Sequence, residues 1–134
     1  MVTEDKQKVF SSGDFRSLSD GQKRIFRAVV DNLDSRGMFQ PTDVPVIASY
    51  ARNVILSREA SKAIEKYGVV IEEVDKYHGV KLKQNPAVVT LQMAQKAMED
   101  TAIKLGLTPT GRKRLREMEG NAKTASEEWD EQND

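Results

Sequence analysis

The 134-residue chain has no cysteine, which excludes disulfides and thiolate metal sites, and its single histidine cannot build a histidine-based zinc site without several carboxylates around it. No apolar run approaches the ~20 residues needed to span a bilayer, so no membrane embedding is expected. Aromatic residues make up only 6% of the chain and hydrophobic residues 38%, which suits a modest core. One small domain is the most this length allows, and with flexible ends the ordered part falls near ~100 residues, a size that gains from assembly. The opening stretch, MVTEDKQKVFSSGDF, carries acidic residues and lacks the apolar centre of a secretory signal; a cytosolic protein is expected.

A catalytic constellation is also missing. GLTPTG holds two glycines but not the lysine and Ser/Thr of a phosphate-binding loop. His78 lies in a turn beside Tyr77, without a second histidine or cysteine, and is read as a turn residue. Glu72, Glu73 and Asp75 could crowd carboxylates around a divalent cation, but alternation along a strand makes a solvated edge the better reading. No cofactor, no metal and no enzymatic activity are expected.

What the chain does have is segregated charge. Formal net charge is zero, yet residues 1–80 hold 12 basic and 12 acidic side chains, 81–116 hold 8 and 2, and 117–134 hold 1 and 7. A basic block followed by an acidic tail is the asymmetry of a chain that binds a polyanion and carries a charged interaction or self-masking segment; solvated helix faces sorting this way is the alternative.

Hydrophobic spacing predicts a first helix over Leu18 to Arg36, capped by Ser17 or Ser19, with Ile25, Phe26, Val29, Val30 and Leu33 on one face and Gly37 as its stop. Thr42 is the expected cap of a second helix, which tolerates Pro45 in its first turn and runs to about Tyr67 before Gly68. Its seam is Ile47, Tyr50, Val54, Ser57, Ser61 and Ile64, with Ala51, Ala60 and Ala63 alongside. About 25 residues make a rod of roughly 37 Å, which needs a long partner. The stripe Val88, Leu91, Met98, Ala102 and Leu105 on a third helix supplies one, and the two are expected to pack antiparallel. Between them, the branched runs from Val69 to Val74 and Val80 to Lys83, separated by turn residues Asp75 to Gly79, predict a short β-hairpin. Two strands alone are marginal in water, so this tip should pack on a neighbouring subunit or await a partner.

Residues Asn85 to Leu115 carry the clearest local signals. Asn85 and Pro86 open the third helix and Gly106 ends it; Thr108 and Pro109 at once repeat the cap-plus-proline signal and open a short helix bearing Arg112, Lys113, Arg114 and Arg116. This N-P, long helix, L-G-L-T-P and basic segment resembles the small subunit of phage terminase, and the order of elements extends the resemblance over roughly Leu18 to Leu115. The resemblance implies a non-enzymatic, ring-forming homo-oligomer in the cytoplasm of the infected host. Such a protein selects double-stranded viral DNA and passes it to the large terminase subunit, which carries the ATPase and nuclease.

The fold class expected is mainly α: a long antiparallel helical hairpin with a preceding helix, a small β-hairpin at the tip and a short C-terminal helix. Residues 1–17 are expected as a flexible arm, 18–119 as an oligomerisation and DNA-binding core, and 120–134 as an acidic disordered tail. The basic short helix is the leading DNA-binding element, with Arg112 and Arg116 one turn apart and Lys113 adjacent, although pairing with Glu117 and Glu119 is an alternative use of these cations. Lys81 and Lys83 on one side of the hairpin would recur in every subunit of a ring. Lys23, Arg24 and Arg27 on the first helix form a third basic candidate, or a solvated face. Trp129, the only tryptophan, sits among Glu127, Glu128, Asp130 and Glu131 as a candidate partner anchor, or as a stray exposed aromatic. Two other readings stay open: a helix-turn-helix-like transcriptional regulator using Thr108 to Glu117, and a non-DNA adaptor whose basic block binds a neighbour's acidic tail.

Overall fold

The fold turns on three helix stops made by glycine. The computed structural model describes residues 4–117 and Gly120, in the order α1 (Glu4–Val9), α2 (Gly13–Arg16), α3 (Asp20–Ser35), a 3-10 turn (Pro41–Asp43), α4 (Val44–Tyr67), β1 (Val70–Val74), β2 (Val80–Gln84), α5 (Ala87–Leu105) and α6 over 109–117. This is the mainly helical architecture expected.

Ser19 starts α3 with a capping box: its hydroxyl accepts from the Gln22 N–H, and the Gln22 side chain accepts from the Ser19 N–H. Gly37, at φ 66°, ends the helix, with the Met38 N–H donating back to the Leu33 carbonyl at 2.8 Å. Thr42 does not cap α4. The chain enters that helix through the 3-10 turn, whose Asp43 N–H donates to the Gln40 carbonyl at 2.9 Å, and no side chain caps it. At the far end Gly68, at φ 86°, takes the stop, its N–H donating to the Ile64 carbonyl at 2.7 Å.

Asn85 ties the two long helices together. Its Nδ2 donates to the Gly68 carbonyl at 2.9 Å, its N–H to the Val69 carbonyl at 2.7 Å, and its Oδ1 accepts from the Ala87 N–H at 3.0 Å. The start of α5 is thereby fixed beside the end of α4, while Leu105 at the other end of α5 enters the core with Ile47, Ala48 and Ala51 from the start of α4. The pair is antiparallel. Its small residues, among them the buried Ala51, Ala60 and Ala94, permit close approach. The α4 seam passes through Ala60, whereas Ser61 is exposed.

The core lies at the α3 end of this hairpin. Phe26, Val30, Leu33 and Ile47 are fully buried, each worth about 1.5–3 kcal/mol of apolar transfer. The α5 stripe is less covered: Val88, Leu91 and Met98 are only half-buried, because α3 packs on α4 rather than on α5.

Residues 1–17, set aside as an arm, contribute to that core for the part that is described. Val9 and Phe15 are buried and Phe10 packs against them. The rings of Phe10, Phe15 and Phe26 stand 5.2–6.3 Å apart in edge or tilted contacts. Lys6 adds an anchor, with Nζ 2.7 Å from Asp31 and 3.5 Å from Asp34 on α3. The physical reason is tertiary: helices of six and four residues have no amphipathic period of their own and form where the Phe26 face receives them.

Candidate nucleic-acid interface

Two backbone devices place the basic helix. Gly106, at φ 71°, ends α5 with a Schellman pair in which the Leu107 N–H donates to the Ala102 carbonyl at 2.9 Å and the Gly106 N–H to Ile103 at 3.1 Å. Thr108 then caps α6: its Oγ1 accepts from the Gly111 N–H and its carbonyl from the Arg112 N–H, both at 3.0 Å. Gly111 is buried against the last turn of α5. A β-carbon there would collide with the Ile103 carbonyl oxygen and stand 2.9 Å from its Cα, so glycine alone lets α6 fold back this closely.

The fold-back opens a cleft of about 430 Å³ between α5, α6 and the segment joining α3 to α4. Lys104, Arg112 and Arg116 line it together with Met38, Gln40 and Asp43. The Arg112 guanidinium points toward the Gly106 and Leu107 carbonyls, each at a long 3.5 Å, where a cation also meets the negative end of the α5 dipole. Burial pushes the Asp43 carboxyl above its ordinary value of 3.8. Among the described residues Asp43, Lys104, Arg112 and Arg116 form no ion pair. With three cations to one carboxylate in its lining and no ion pair among them in the described residues, the cleft is suited to an anion with several oxygens, such as a phosphate.

The other candidates lie elsewhere. Lys113 and Arg114 are exposed on α6 and do not line the cleft. On α3, Lys23 lies 5.5 Å from the Phe15 ring centre, and Arg27 lies 5.1 Å from Phe15 and 5.9 Å from Phe10, so both cover the aromatic cluster; Arg24 is exposed. Lys83 pairs with Glu73 at 3.4 Å on the hairpin, and Lys81 stands beside it on the same face. Trp129 lies outside the described residues, as does Glu119, one of the two acidic residues weighed as partners for the basic helix. No group of three or more metal-ligating side chains occurs among the described residues.

Lys104 and Asp43 were not singled out by sequence. The signal for Lys104 was its place in the last turn of α5, where a cation faces the helix C-terminus. Asp43 had none, since it lies more than 60 positions before the cations it joins.

Residues 23–122 match the family model for phage terminase, small subunit, a span that runs from α3 through all of α6 and contains the cleft. No curated protein and no solved structure matches the chain.

Proposed function

The chain belongs to the phage terminase small subunit family, whose role is in phage DNA packaging, and on that footing we propose that it binds the viral duplex through phosphates at the α6 cleft. Lys104, Arg112 and Arg116 take the phosphate oxygens, and Lys113 and Arg114 on the exposed side of α6 meet neighbouring phosphates. The observation that supports this most is the convergence of Lys104, Arg112 and Arg116 on one cleft, none of them in an ion pair among the described residues. The protein acts as a homo-oligomeric ring, which multiplies weak phosphate contacts by subunit number, and it recruits or regulates the large subunit, to which ATP hydrolysis and DNA cutting belong. It performs no chemistry itself and works in the cytoplasm of the infected host; no described helix is long and apolar enough to cross a membrane.

Fluorescence anisotropy with a labelled duplex at 50–200 mM salt tests the binding reading. Log affinity should fall linearly with log salt, by a slope of about 0.9 per phosphate neutralised. Affinity indifferent to salt would sink it. Native mass separates the ring from a helix-turn-helix regulator: a single high-order oligomer supports the former, a dimer with a two-half-site footprint the latter.

A further inference from the structure

The α6 cleft is lined by two kinds of side chain. Lys104, Arg112 and Arg116 oppose a single carboxylate, Asp43, and Met38, Leu105 and Leu115 add apolar surface to the same lining. Met38 and Leu115 are only half-buried there. A phosphate backbone engages the cations but gives the apolar side chains no counterpart. A ligand that sets an apolar ring among carboxylates satisfies both.

The chain carries such a ligand. Residues 127–134, which lie outside the described residues, read EEWDEQND, with five carboxylates in eight positions, no basic residue and the only tryptophan. Glu127, Glu128, Asp130 and Glu131 flank Trp129 on both sides. Leu115 and Arg116 themselves line the cleft, so the chain departs from its rim. The nine residues 118–126 reach up to about 30 Å when extended, ample for a return.

We propose that residues 127–131 dock in the α6 cleft of their own subunit, with the Trp129 ring against Met38, Leu105 and Leu115 and the flanking carboxylates on Lys104, Arg112 and Arg116. Carboxylates on guanidinium and ammonium groups make charge-assisted hydrogen bonds, and an aromatic side chain in an apolar recess is the usual anchor of such a contact. Tethering beside the site raises the segment's effective concentration there to about the millimolar range, so individually weak contacts suffice. Duplex DNA must then displace the segment to reach the same cations. That consequence rests on the phosphate reading above; the docking does not.

Trp129 is the only tryptophan, so its fluorescence reports the docking directly. In the full chain without DNA, acrylamide should quench it severalfold less than it quenches free N-acetyltryptophanamide. Lys104→Gln with Arg116→Gln, both at exposed positions, should return quenching toward the free value. Lys113→Gln with Arg114→Gln, the same change of charge on α6 outside the cleft, should leave Trp129 protected. Free quenching in the wild type, protection that survives in the cleft pair, or protection that both pairs abolish alike overturns the docking. Trp129→Ala alters no charge, so a severalfold gain in duplex affinity reports release of the cleft rather than loss of repulsion. A protected Trp129 without that gain moves the duplex away from this cleft and leaves the docking standing. A freely quenched Trp129 in a chain whose duplex affinity falls with Lys104→Gln and Arg116→Gln does the opposite, removing the docking and keeping the phosphate site.

Discussion

Gly111 lies flush against the backbone of Ile103: a β-carbon added at position 111 would stand 2.9 Å from the Ile103 Cα and closer still to its carbonyl oxygen. Helix propensity and packing therefore make opposite forecasts for Gly111→Ala. In an exposed helix the change would stabilise by about 1 kcal/mol. Here overpacking should cost about 1–3 kcal/mol instead and push α6 off α5, lowering the melting temperature and weakening DNA binding together. A higher melting temperature would show that the two helices do not touch.

Asp43 predicts a pH effect whose sign follows from its burial. With its carboxyl raised above 3.8, the folded state disfavours the carboxylate, so the group costs stability at neutral pH. That cost disappears as pH falls through the raised value and is absent below 3.8, where both states hold the proton. Asp43→Asn should thus raise stability at pH 7, with the gain vanishing in acid. It also removes the anion from a cleft lined by Lys104, Arg112 and Arg116, so duplex affinity should rise. Equal denaturation midpoints for the two proteins at pH 7 would contradict the burial argument.

Asn85 should be intolerant of change, because one side chain serves both ends of the helical hairpin. Asn85→Ala leaves the Gly68 carbonyl and the Ala87 N–H without their partner and should cost about 1–3 kcal/mol in urea unfolding. Asn85→Asp keeps the acceptor for Ala87 but turns an oxygen toward the Gly68 carbonyl, so it should not rescue. Full rescue by aspartate would mean that helix capping alone accounts for the residue.

Signals that act within one turn of chain were legible in the sequence, and those that act across the fold were not. Gly37, Gly68 and Gly106 stop their helices as expected, Thr108 caps α6, and Asp75 organises the hairpin turn by accepting from the Tyr77 and Gly79 N–H groups, each at 2.8 Å. His78 holds the left-handed position of that turn, at φ 64°, which agrees with its reading as a turn residue. Thr42 failed as a cap because the 3-10 turn satisfies the backbone first. The helices before Ser17 were missed because Val9 and Phe15 are ordered by the aromatic face of α3 rather than by any period in their own sequence. The cleft was half legible: Arg112 and Arg116 share a helix face, but Lys104 and Asp43 join them only once Gly111 has brought α6 back.

The aromatic cluster separates two uses of positive charge that sequence could not tell apart. Arg27 and Arg114 are both exposed, but Arg27 lies over Phe15 and Phe10, a contact worth about 0.5–1 kcal/mol at an exposed site. Arg27→Ala should lower the unfolding free energy by an amount of that order and leave duplex affinity nearly unchanged. Arg114→Ala should do the reverse, keeping stability and reducing the salt slope of binding by about 1. Arg24 is the control on α3, exposed and with no ring beneath it. If Arg24→Ala lowers duplex affinity as much as Arg114→Ala does, DNA also contacts α3, and the interface extends beyond the α6 cleft.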